Sequence, residues 1–499
     1  MPPQLHFEGR PVAMDEFRDG VARAAGGLEA LGVREGDVVC LLLRNHPAFL
    51  QAQLAARRLG AYACPINWHF KAEEAGWILR DSGAKALVGE SDLLRQVDEG
   101  IPEGVRVIDA GELRGDGSPQ WRAWLAAQRP YAGPERIARA SMPYTSGTTG
   151  RPKGVRRTAP GAADAAAAAA RLLERNVRLV YGLEPGVRAL VSAPLYHSAP
   201  NMYALQALLQ GAELFLEPRF DPEGTLARTA GARIQRAYLV PTMFARMLKL
   251  PEAVRRRYDV SSIEFVIIMG STCAPELKRA MIDWWGPVIH ESYAASELGL
   301  VTFIRAEEAL RKPGSAGRPI DGVRLRILDA EGRELPPRTP GLVYARQAGY
   351  ADFTYNNNDA ARRALERDGL WTLGDVGWVD EDGYLYLSDR AVDMIISGGV
   401  NIYPAEIESA LIAMPGVADC AVFGVPDAEF GEAVAAAVQP QPGAALTEDA
   451  VKAWLAARIA NYKVPRLVAF HDALPREDSG KLFKRRLRAP YWEGAGRAI

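Results

Sequence analysis

A glycine-rich segment, TSGTTGRPKG at positions 145–154, carries the residue types that bind phosphate. Its glycines permit positive φ and a close approach of the backbone to a ligand. Its hydroxyls, backbone N–H groups and Lys153 donate to phosphate oxygens. The spacing is neither that of a Walker loop nor that of the dinucleotide fingerprint. We therefore predict a phosphate-binding loop, and the alternative is a glycine-rich hairpin without a ligand.

Further segments with reactive side chains follow predicted strands, where open α/β sheets bind ligands. They include a Tyr-His pair, a second glycine-hydroxyl segment, an acidic segment, an aspartate after a tryptophan, a double-glycine loop and a Ser-Gly-Lys ending. In chain order these segments lie at 192–198, 270–273, 291–297, 371–375, 389–406 and 475–481.

The elements that position these loops are short apolar runs and segments whose apolar residues recur at helical spacing. The two kinds of segment alternate along the chain. The runs at 38–43, 86–88 and 263–269 predict buried strands, while 47–59 and 275–285 predict helices,. Such alternation predicts parallel βαβ units. Past about residue 313, alternating segments flank the turns DAEG and DEDG and predict hairpins.

The predicted fold is α/β, in two parts. Residues 1–389 form a large N-terminal domain of βαβ-built sheets with a β-rich subdomain. Residues 390–499 form a small, mobile α+β C-terminal domain, for which about 110 residues suffice.

Composition excludes several classes of protein. The 499 residues are 48% hydrophobic and 24% charged with a formal net charge of −1, so no global field attracts nucleic acid or an anionic membrane,. The four cysteines form no C-x-x-C pair, which favours a reducing cytoplasm over a disulfide framework or a zinc site,. Neither a secretory signal nor a transmembrane run is present in the sequence. We expect a cytoplasmic protein.

Together and in this order, the segments resemble the adenylate-forming superfamily, which includes AMP-forming acyl-CoA synthetases, peptide-synthetase adenylation domains and beetle luciferases. The resemblance spans roughly residues 30 to 490, and fatty-acid-type CoA ligases are the nearest expectation. It implies ATP, Mg²⁺ and coenzyme A. A carboxylate attacks the α-phosphate of ATP and expels pyrophosphate, and the CoA thiol then takes the acyl group and releases AMP.

The resemblance also implies roles for individual residues. Glu297 is the expected Mg²⁺ ligand, and Glu297, Thr149 and Lys481 are the expected catalytic residues, with Lys481 over the α-phosphate. Asp375 with Arg390 is expected at the ribose, and Tyr293 at the adenine. The ATP- and AMP-binding set is Thr145, Ser146, Gly147, Thr148, Thr149, Gly150, Lys153, Gly270, Ser271, Thr272, Tyr293, Ala294, Ser296, Asp375, Arg390 and Lys481.

The resemblance implies two further sets of residues, one that contacts the CoA thiol and one that contacts the acid. The double-glycine loop is expected to line a pantetheine tunnel through Gly398, Gly399 and Val400. The acyl pocket is expected at Tyr196, His197, Met202, Val240, Met243 and Met269. These walls are mostly apolar, so a fatty, aromatic or alicyclic acid fits better than a dicarboxylate.

Structural roles compete with these functional ones. His197 is equally well a core histidine, and Glu297 is equally well an acid in the first turn of a helix. Lys481 precedes other basic residues and fits a solvated basic tail as well. The chain also departs from the superfamily, with Ala294-Ala295-Ser296-Glu297 in place of Gly-x-Thr-Glu and Val392 at the usual polar hinge. The small domain is still expected to rotate, although valine is stiffer at χ1 and cannot make the polar contacts of the usual hinge residue.

The predicted function is an AMP-forming acid:CoA ligase. One alternative is an adenylase that loads a separate carrier protein, and another is a non-catalytic nucleotide-binding protein. The expected partners are a small carboxylic acid and CoA, without nucleic acid or a transmembrane segment, and a homodimer stays open.

Overall fold

The computed structural model describes residues 4–113, 115, 118–134, 136–145, 152–158, 163–271, 273–390, 393–397, 400–427, 430–476 and 482–493. Within these ranges the chain is mixed α/β, with a large N-terminal domain and a small C-terminal domain, as predicted.

A seven-stranded sheet forms the centre of the large domain. Its strands are parallel except for the N-terminal hairpin at one edge. In spatial order they are Ile289–Glu291, Phe265–Ile268, Arg236–Leu239, Arg188–Val191, Glu213–Leu216, Gln4–Phe7 and Arg10–Val12. The apolar runs predicted these strands because parallel strands are covered by helices on both faces. The N-terminal hairpin was not predicted.

A second parallel sheet has four strands, and its central strand Val38–Leu42 is buried at every position. Its order is Tyr62–Pro65, Val38–Leu42, Ala86–Gly89 and Arg106–Asp109. The helix Pro47–Arg58 begins where His46 accepts a hydrogen bond from the backbone N–H of Ala48, with Pro47 in the first turn,.

The helices of the large domain cover these sheets. Among the described residues they are Met14–Ala30, Pro47–Arg58, Ala72–Ser82, Ser91–Val97, Pro119–Ala126, Ala163–Tyr181, Ser198–Leu209, Pro222–Ala232, Pro241–Leu248, Glu252–Arg255, Pro275–Trp285, Ala306–Arg311 and Asp359–Arg363. A 3₁₀ turn occupies Asp98–Gly100. The alanine-rich stretch is a helix, as predicted, since alanine has the highest helix propensity.

The β-rich part contains antiparallel sheets, as the turn residues predicted. One sheet has five strands, Val323–Leu328, Gly341–Gln347, Leu370–Val379, Glu366–Arg367 and Leu385–Arg390. Two short pairs join Ala294–Ala295 to Gly299–Leu300 and Thr302–Phe303 to Arg318–Pro319.

A small three-stranded sheet matters most for the site, because it carries Lys153. The strand Lys153–Arg157 lies between Tyr144–Thr145 and Phe353–Tyr355, antiparallel to both. The phosphate-binding segment is therefore anchored at both of its described ends.

The C-terminal domain has its own hydrophobic core around a five-stranded sheet. The strands are Val400–Ile402, Ile395–Ser397, Gly431–Pro440, Val417–Asp427 and Leu467–Phe470. The helices Pro404–Ile412, Glu448–Ala456 and Lys484–Trp492 and the 3₁₀ turn Asn461–Lys463 complete it. The domain boundary at 389/390 stays a prediction.

No helix within the described ranges combines the length and apolar character that a membrane crossing requires.

Candidate active site

A cavity of about 1610 Å³ lies where the parallel sheets, the β-rich part and the C-terminal domain meet. Its walls bring together residues that are far apart in the sequence. They include Thr145, Lys153, Ala294, Ser296, Glu297 and Gly270, together with Tyr196, His197, Met202, Val240 and Met269. Residues of the C-terminal domain, among them Leu482 and Lys484, also border it.

Glu297 is the buried carboxylate of this cavity, with 5% of its surface exposed. It lies in the turn between the strands Ala294–Ala295 and Gly299–Leu300. The Thr145 hydroxyl donates to its Oε1 over 3.1 Å, and the Tyr355 hydroxyl donates to the same oxygen over 3.0 Å. The Lys153 Nζ lies 5.2 Å from the centre of the Tyr355 ring. The structure thus places a buried carboxylate beside the lysine and a hydroxyl of the glycine-rich segment.

The oxygen atoms around Glu297 fit a magnesium ion. A carboxylate offers about four lone-pair positions, and the two hydroxyl donors use only part of that capacity. Mg²⁺ prefers oxygen ligands and is usually held by one or two carboxylates together with substrate phosphates. One buried carboxylate beside a phosphate-binding segment matches that preference.

Arg157 holds the backbone that carries Glu297. Its guanidinium donates to the carbonyl oxygens of Ser296 at 2.7 Å, Glu297 at 2.8 Å and Ala351 at 2.8 Å. It also lies over the Tyr350 ring, 4.9 Å from the ring centre. Burial lowers the pKa of this arginine, although nearby acidic groups act in the opposite direction,. The planar guanidinium satisfies three carbonyls at once, which a lysine ammonium could not do with the same geometry.

Replacement of Arg157 by leucine is expected to destabilise the protein by about 3 kcal/mol, because three buried carbonyls lose their donor. The measurement is the free energy of unfolding in urea. The matched control is Arg156→Leu on the same strand. Arg156 is partly exposed, and its hydrogen bonds to Asn356 and Gly36 are long, at 3.4 and 3.3 Å, so about 1 kcal/mol or less is expected,. Equal losses in both variants would contradict the role of Arg157.

The predicted nucleotide-side residues Tyr293 and Asp375 contact each other. The Tyr293 hydroxyl donates to the Asp375 Oδ2. Asp375 lies in the strand Leu370–Val379, and its backbone pairs with Arg390 on the neighbouring strand. The register therefore places the two residues predicted at the ribose next to each other, although neither Tyr293 nor Asp375 is among the described residues that line the cavity.

The loop after the strand Phe265–Ile268 begins with Gly270, whose φ of +97° lies in the region that favours glycine,. Ser271 is exposed. Behind this loop, Lys278 and Glu291 form a buried ion pair. Burial is the largest single effect and acts to lower the pKa of Lys278, but the charges of Glu291 and Cys273 and the hydrogen bond to Glu291 together raise it. The pair joins the helix Pro275–Trp285 to the strand Ile289–Glu291 and so fixes the two segments that flank the predicted adenine pocket.

Asn45 fixes the loop that presents Tyr196 and His197. Its Nδ2 donates to Ala193 O at 2.9 Å, and its Oδ1 accepts from Leu195 N at 2.8 Å. His197 then precedes the helix Ser198–Leu209 at its N-terminus. Five of the six predicted acyl-pocket residues line the cavity.

Met243 is the exception, and its place in the acyl pocket stays a prediction. It is 2% exposed and belongs to the hydrophobic core, and it is absent from the described residues that line the cavity. It lies in the helix Pro241–Leu248, whose buried residues pack into the core. The apolar run 240–243 predicted burial, but it could not tell burial in the core from burial beside a ligand.

Several predicted residues lie outside the described part of the chain. They are Ser146, Gly147, Thr148, Thr149, Gly150, Thr272, Gly398, Gly399 and Lys481, together with the hinge residue Val392. Val400 and Arg390 are described through their backbone alone. The roles given to all of these residues stay predictions.

Sequence reasoning missed Arg157, Tyr355, Tyr181 and Tyr238. One signal was present for Arg157, because it follows Lys153 by four positions on a strand and strand side chains alternate with a period of two. Both therefore lie on the same face. No local pattern marked the tyrosines, which meet only through long-range contacts.

Comparison with known proteins gives the family. The model of the AMP-binding enzyme family matches residues 3–352, and the model of the AMP-binding enzyme C-terminal domain matches residues 406–481. Two separate matches agree with a chain of two parts.

Named relatives and solved structures cover nearly the whole chain. It is 35% identical to a feruloyl-CoA synthase of Amycolatopsis sp. over 96% of this chain and 94% of that protein. It is 34% identical to the long-chain-fatty-acid–CoA ligase FadD13 of Mycobacterium tuberculosis over 94% and 91%. The crystal structure of ATP-bound MatB from Rhodopseudomonas palustris is similar with a TM-score of 0.85 and 27% identity, over 99% and 97% of the chains.

Proposed function

The chain belongs to the AMP-binding enzyme family, and from that membership we propose that it is an AMP-forming acid:CoA ligase. The two relatives described above are named as a CoA synthase and a CoA ligase. The observation that carries the proposal is the cavity, which is lined by Glu297, Thr145 and Lys153 together with apolar side chains. Such a cavity suits a nucleotide and an apolar acid side by side.

In the first half-reaction, a carboxylate oxygen of the acid bonds to the α-phosphorus of ATP. The bond from that phosphorus to the bridging oxygen breaks, and pyrophosphate leaves. Lys153 and the hydroxyls of Ser146, Thr148 and Thr149 hold the departing phosphates. Asp375 with Arg390 holds the ribose, and Lys481 lies over the α-phosphate. Catalysis then depends on positioning and on charge stabilisation.

Glu297 would hold the magnesium ion, with Thr145 beside it. The ion supplies neutralisation of phosphate charge. Because Arg157 fixes the carbonyl of Glu297 itself, the carboxylate is held in place by its own backbone as well as by two hydroxyls.

In the second half-reaction, the CoA sulfur bonds to the acyl carbon, the bond to the adenylate oxygen breaks, and AMP leaves while the thiol proton passes to solvent. The loop with Gly398, Gly399 and Val400 would line the path of the thiol. A rotation of the C-terminal domain would exchange Lys481 for this loop between the two steps.

Two assays on the full chain test the proposal. Acid-dependent ATP–pyrophosphate exchange in the presence of Mg²⁺ measures adenylation, and CoA-dependent release of AMP with detection of an acyl-CoA measures thioester formation. Both are expected. Exchange without any acyl-CoA would favour a carrier-protein adenylase. ATP binding without exchange for every acid of a broad panel would favour a non-catalytic nucleotide-binding protein.

The four cysteines, at 40, 64, 273 and 420, are all free and buried, which supports a cytoplasmic location as part of the proposal,.

A further inference from the structure

Three tyrosines cluster at the apolar wall of the cavity. Tyr181 ends the helix Ala163–Tyr181, Tyr203 lies in the helix Ser198–Leu209, and Tyr238 lies in the strand Arg236–Leu239. The ring centres of Tyr181 and Tyr203 are 5.5 Å apart, and those of Tyr203 and Tyr238 are 5.8 Å apart. Each residue is at most 2% exposed. The cluster thus joins three elements of the wall.

The three tyrosines differ in whether they line the cavity. Tyr181 and Tyr238 line the cavity, whereas Tyr203 does not appear among the described residues that do. The hydroxyl of Tyr238 approaches the site loop, because a Cβ built on Gly270 would lie 4.0 Å from it. The cavity therefore passes from the predicted nucleotide side to two phenols on the acyl side.

These two hydroxyls lack protein partners. Within the described part of the chain, no side-chain hydrogen bond involves Tyr181 or Tyr238, and the buried hydroxyl of Tyr203 in the same cluster has no partner either. Burial raises the pKa of both phenols, so both stay protonated and can donate as well as accept,. Buried polar groups are normally hydrogen-bonded, and leaving one unsatisfied costs about 1–3 kcal/mol. A buried donor that faces a ligand cavity without a partner indicates what the ligand must supply.

The cavity wall also includes apolar side chains, among them Leu173, Met202, Leu205 and Val240. The side-chain amide of Gln206 is a third polar group there, and its Nε2 donates only to the Met202 sulfur, at 3.6 Å. Ligand pockets commonly combine an apolar lining with a few placed polar groups that give specificity.

We propose that the acid of this ligase carries a hydroxyl or keto group on a largely apolar body, and that Tyr181 and Tyr238 bind this oxygen. The proposal rests on the proposed function and narrows its substrate class. Tyr181 and Tyr238 act as specificity-determining residues: a substrate hydroxyl pairs with both phenols, while an analogue without it leaves them unpaired. Sites built to bind a hydroxyl discriminate strongly against the analogue that lacks it.

The experiment compares matched pairs of acids that differ only in one oxygen. Suitable pairs are 3-(4-hydroxyphenyl)propanoic and 3-phenylpropanoic acid, 4-hydroxycyclohexyl- and cyclohexylacetic acid, and a hydroxy and an unsubstituted fatty acid of equal length, each assayed by pyrophosphate exchange. The wild-type enzyme is expected to favour the oxygenated member of at least one pair by about tenfold or more in kcat/KM. Tyr181→Phe and Tyr238→Phe are expected to reduce that ratio, mainly by raising KM for the oxygenated acid, with little change for its partner.

Tyr203→Phe is the matched control. It makes the same change within the same cluster, but at a residue that does not line the cavity, so the ratio should be unchanged. Thermal unfolding of all three variants shows whether any loss is structural. The proposal is overturned if no pair shows a preference, or if the preference survives in both variants. If no acid supports exchange at all, the proposed function has failed rather than the subsite.

Discussion

Glu297→Gln is expected to lower the rate of ATP–pyrophosphate exchange by about 10²- to 10³-fold. Glutamine has the same shape, and its side-chain oxygen can still accept from Thr145 and Tyr355, so the local packing should persist. The variant loses the negative charge, and with it the carboxylate that would hold magnesium. The exchange rate should recover in part as the Mg²⁺ concentration is raised.

Tyr355→Phe provides the control for this variant. It removes one of the two hydroxyls that donate to the carboxylate and leaves the charge in place. We expect a loss of about tenfold and an unchanged Mg²⁺ dependence, because the charge stays, Thr145 still donates to the same oxygen, and the lost bond then contributes about 1.5 kcal/mol,. The metal role of Glu297 is wrong if Glu297→Gln retains near-wild-type exchange at low Mg²⁺.

Lys481→Ala is expected to reduce adenylate formation by about 10²- to 10³-fold, while thioester formation from a supplied acyl-adenylate is retained within a few-fold. The expectation comes from the Ser479-Gly480-Lys481 motif, which lies outside the described residues. A lysine that neutralises charge while pyrophosphate departs does not contribute to the thioester-forming step, because pyrophosphate has already left when the adenylate is formed. Single-turnover assays of the two half-reactions measure the separation.

Lys452→Ala removes the same charge from the same domain. Lys452 pairs with Glu448 one helical turn away, over 2.7 Å, an interaction worth about 0.3–0.5 kcal/mol,. Both half-reactions should therefore be unaffected. If Lys481→Ala lowered both half-reactions equally, its role would be general and the proposed division of labour between the two steps would be wrong.

The parallel core and the antiparallel part were predictable for different physical reasons. A strand covered on both faces must be apolar throughout, and Val38–Leu42 and Phe265–Ile268 show it,. In the β-rich part, the turn after Val379 joins two antiparallel strands, and its Asp and Gly residues predict a hairpin,. Both signals are local and survive in a single sequence.

Other features depend on contacts that no local pattern encodes. In the sequence, Arg157 is one of two adjacent basic residues with nothing to distinguish them. In the structure Arg156 is partly exposed, whereas Arg157 is buried and donates to three carbonyl oxygens. The sequence predicts Met243 as a residue of the acyl pocket, and in the structure this side chain packs in the hydrophobic core. Whether a buried residue faces the core or a cavity depends on which distant segment packs against it. The sequence around the residue does not specify that segment.

The candidate site shows the same division. The motifs predicted Thr145, Lys153 and Glu297, and the structure brings these three together. Their positioning partners Arg157 and Tyr355 belong to no short motif. Reactive groups at the ends of loops lie in segments whose composition is recognisable in the sequence. The residues that position these groups form no motif, because they only need a suitable size and location in the fold.

The strand Gln4–Phe7, next to the edge strand of the seven-stranded sheet, has a consequence for synthesis of the chain. It is made well before its parallel partner Glu213–Leu216, and His6 contacts Glu213 across 207 positions. At about 5–20 residues per second, a ribosome needs roughly 10 to 40 s to supply that partner. During this wait the strand can pair only with Arg10–Val12, which covers one of its two edges. The hairpin thus acts as a temporary guard against pairing with other nascent chains, and weakening it should lower the soluble yield more than the stability of the finished fold.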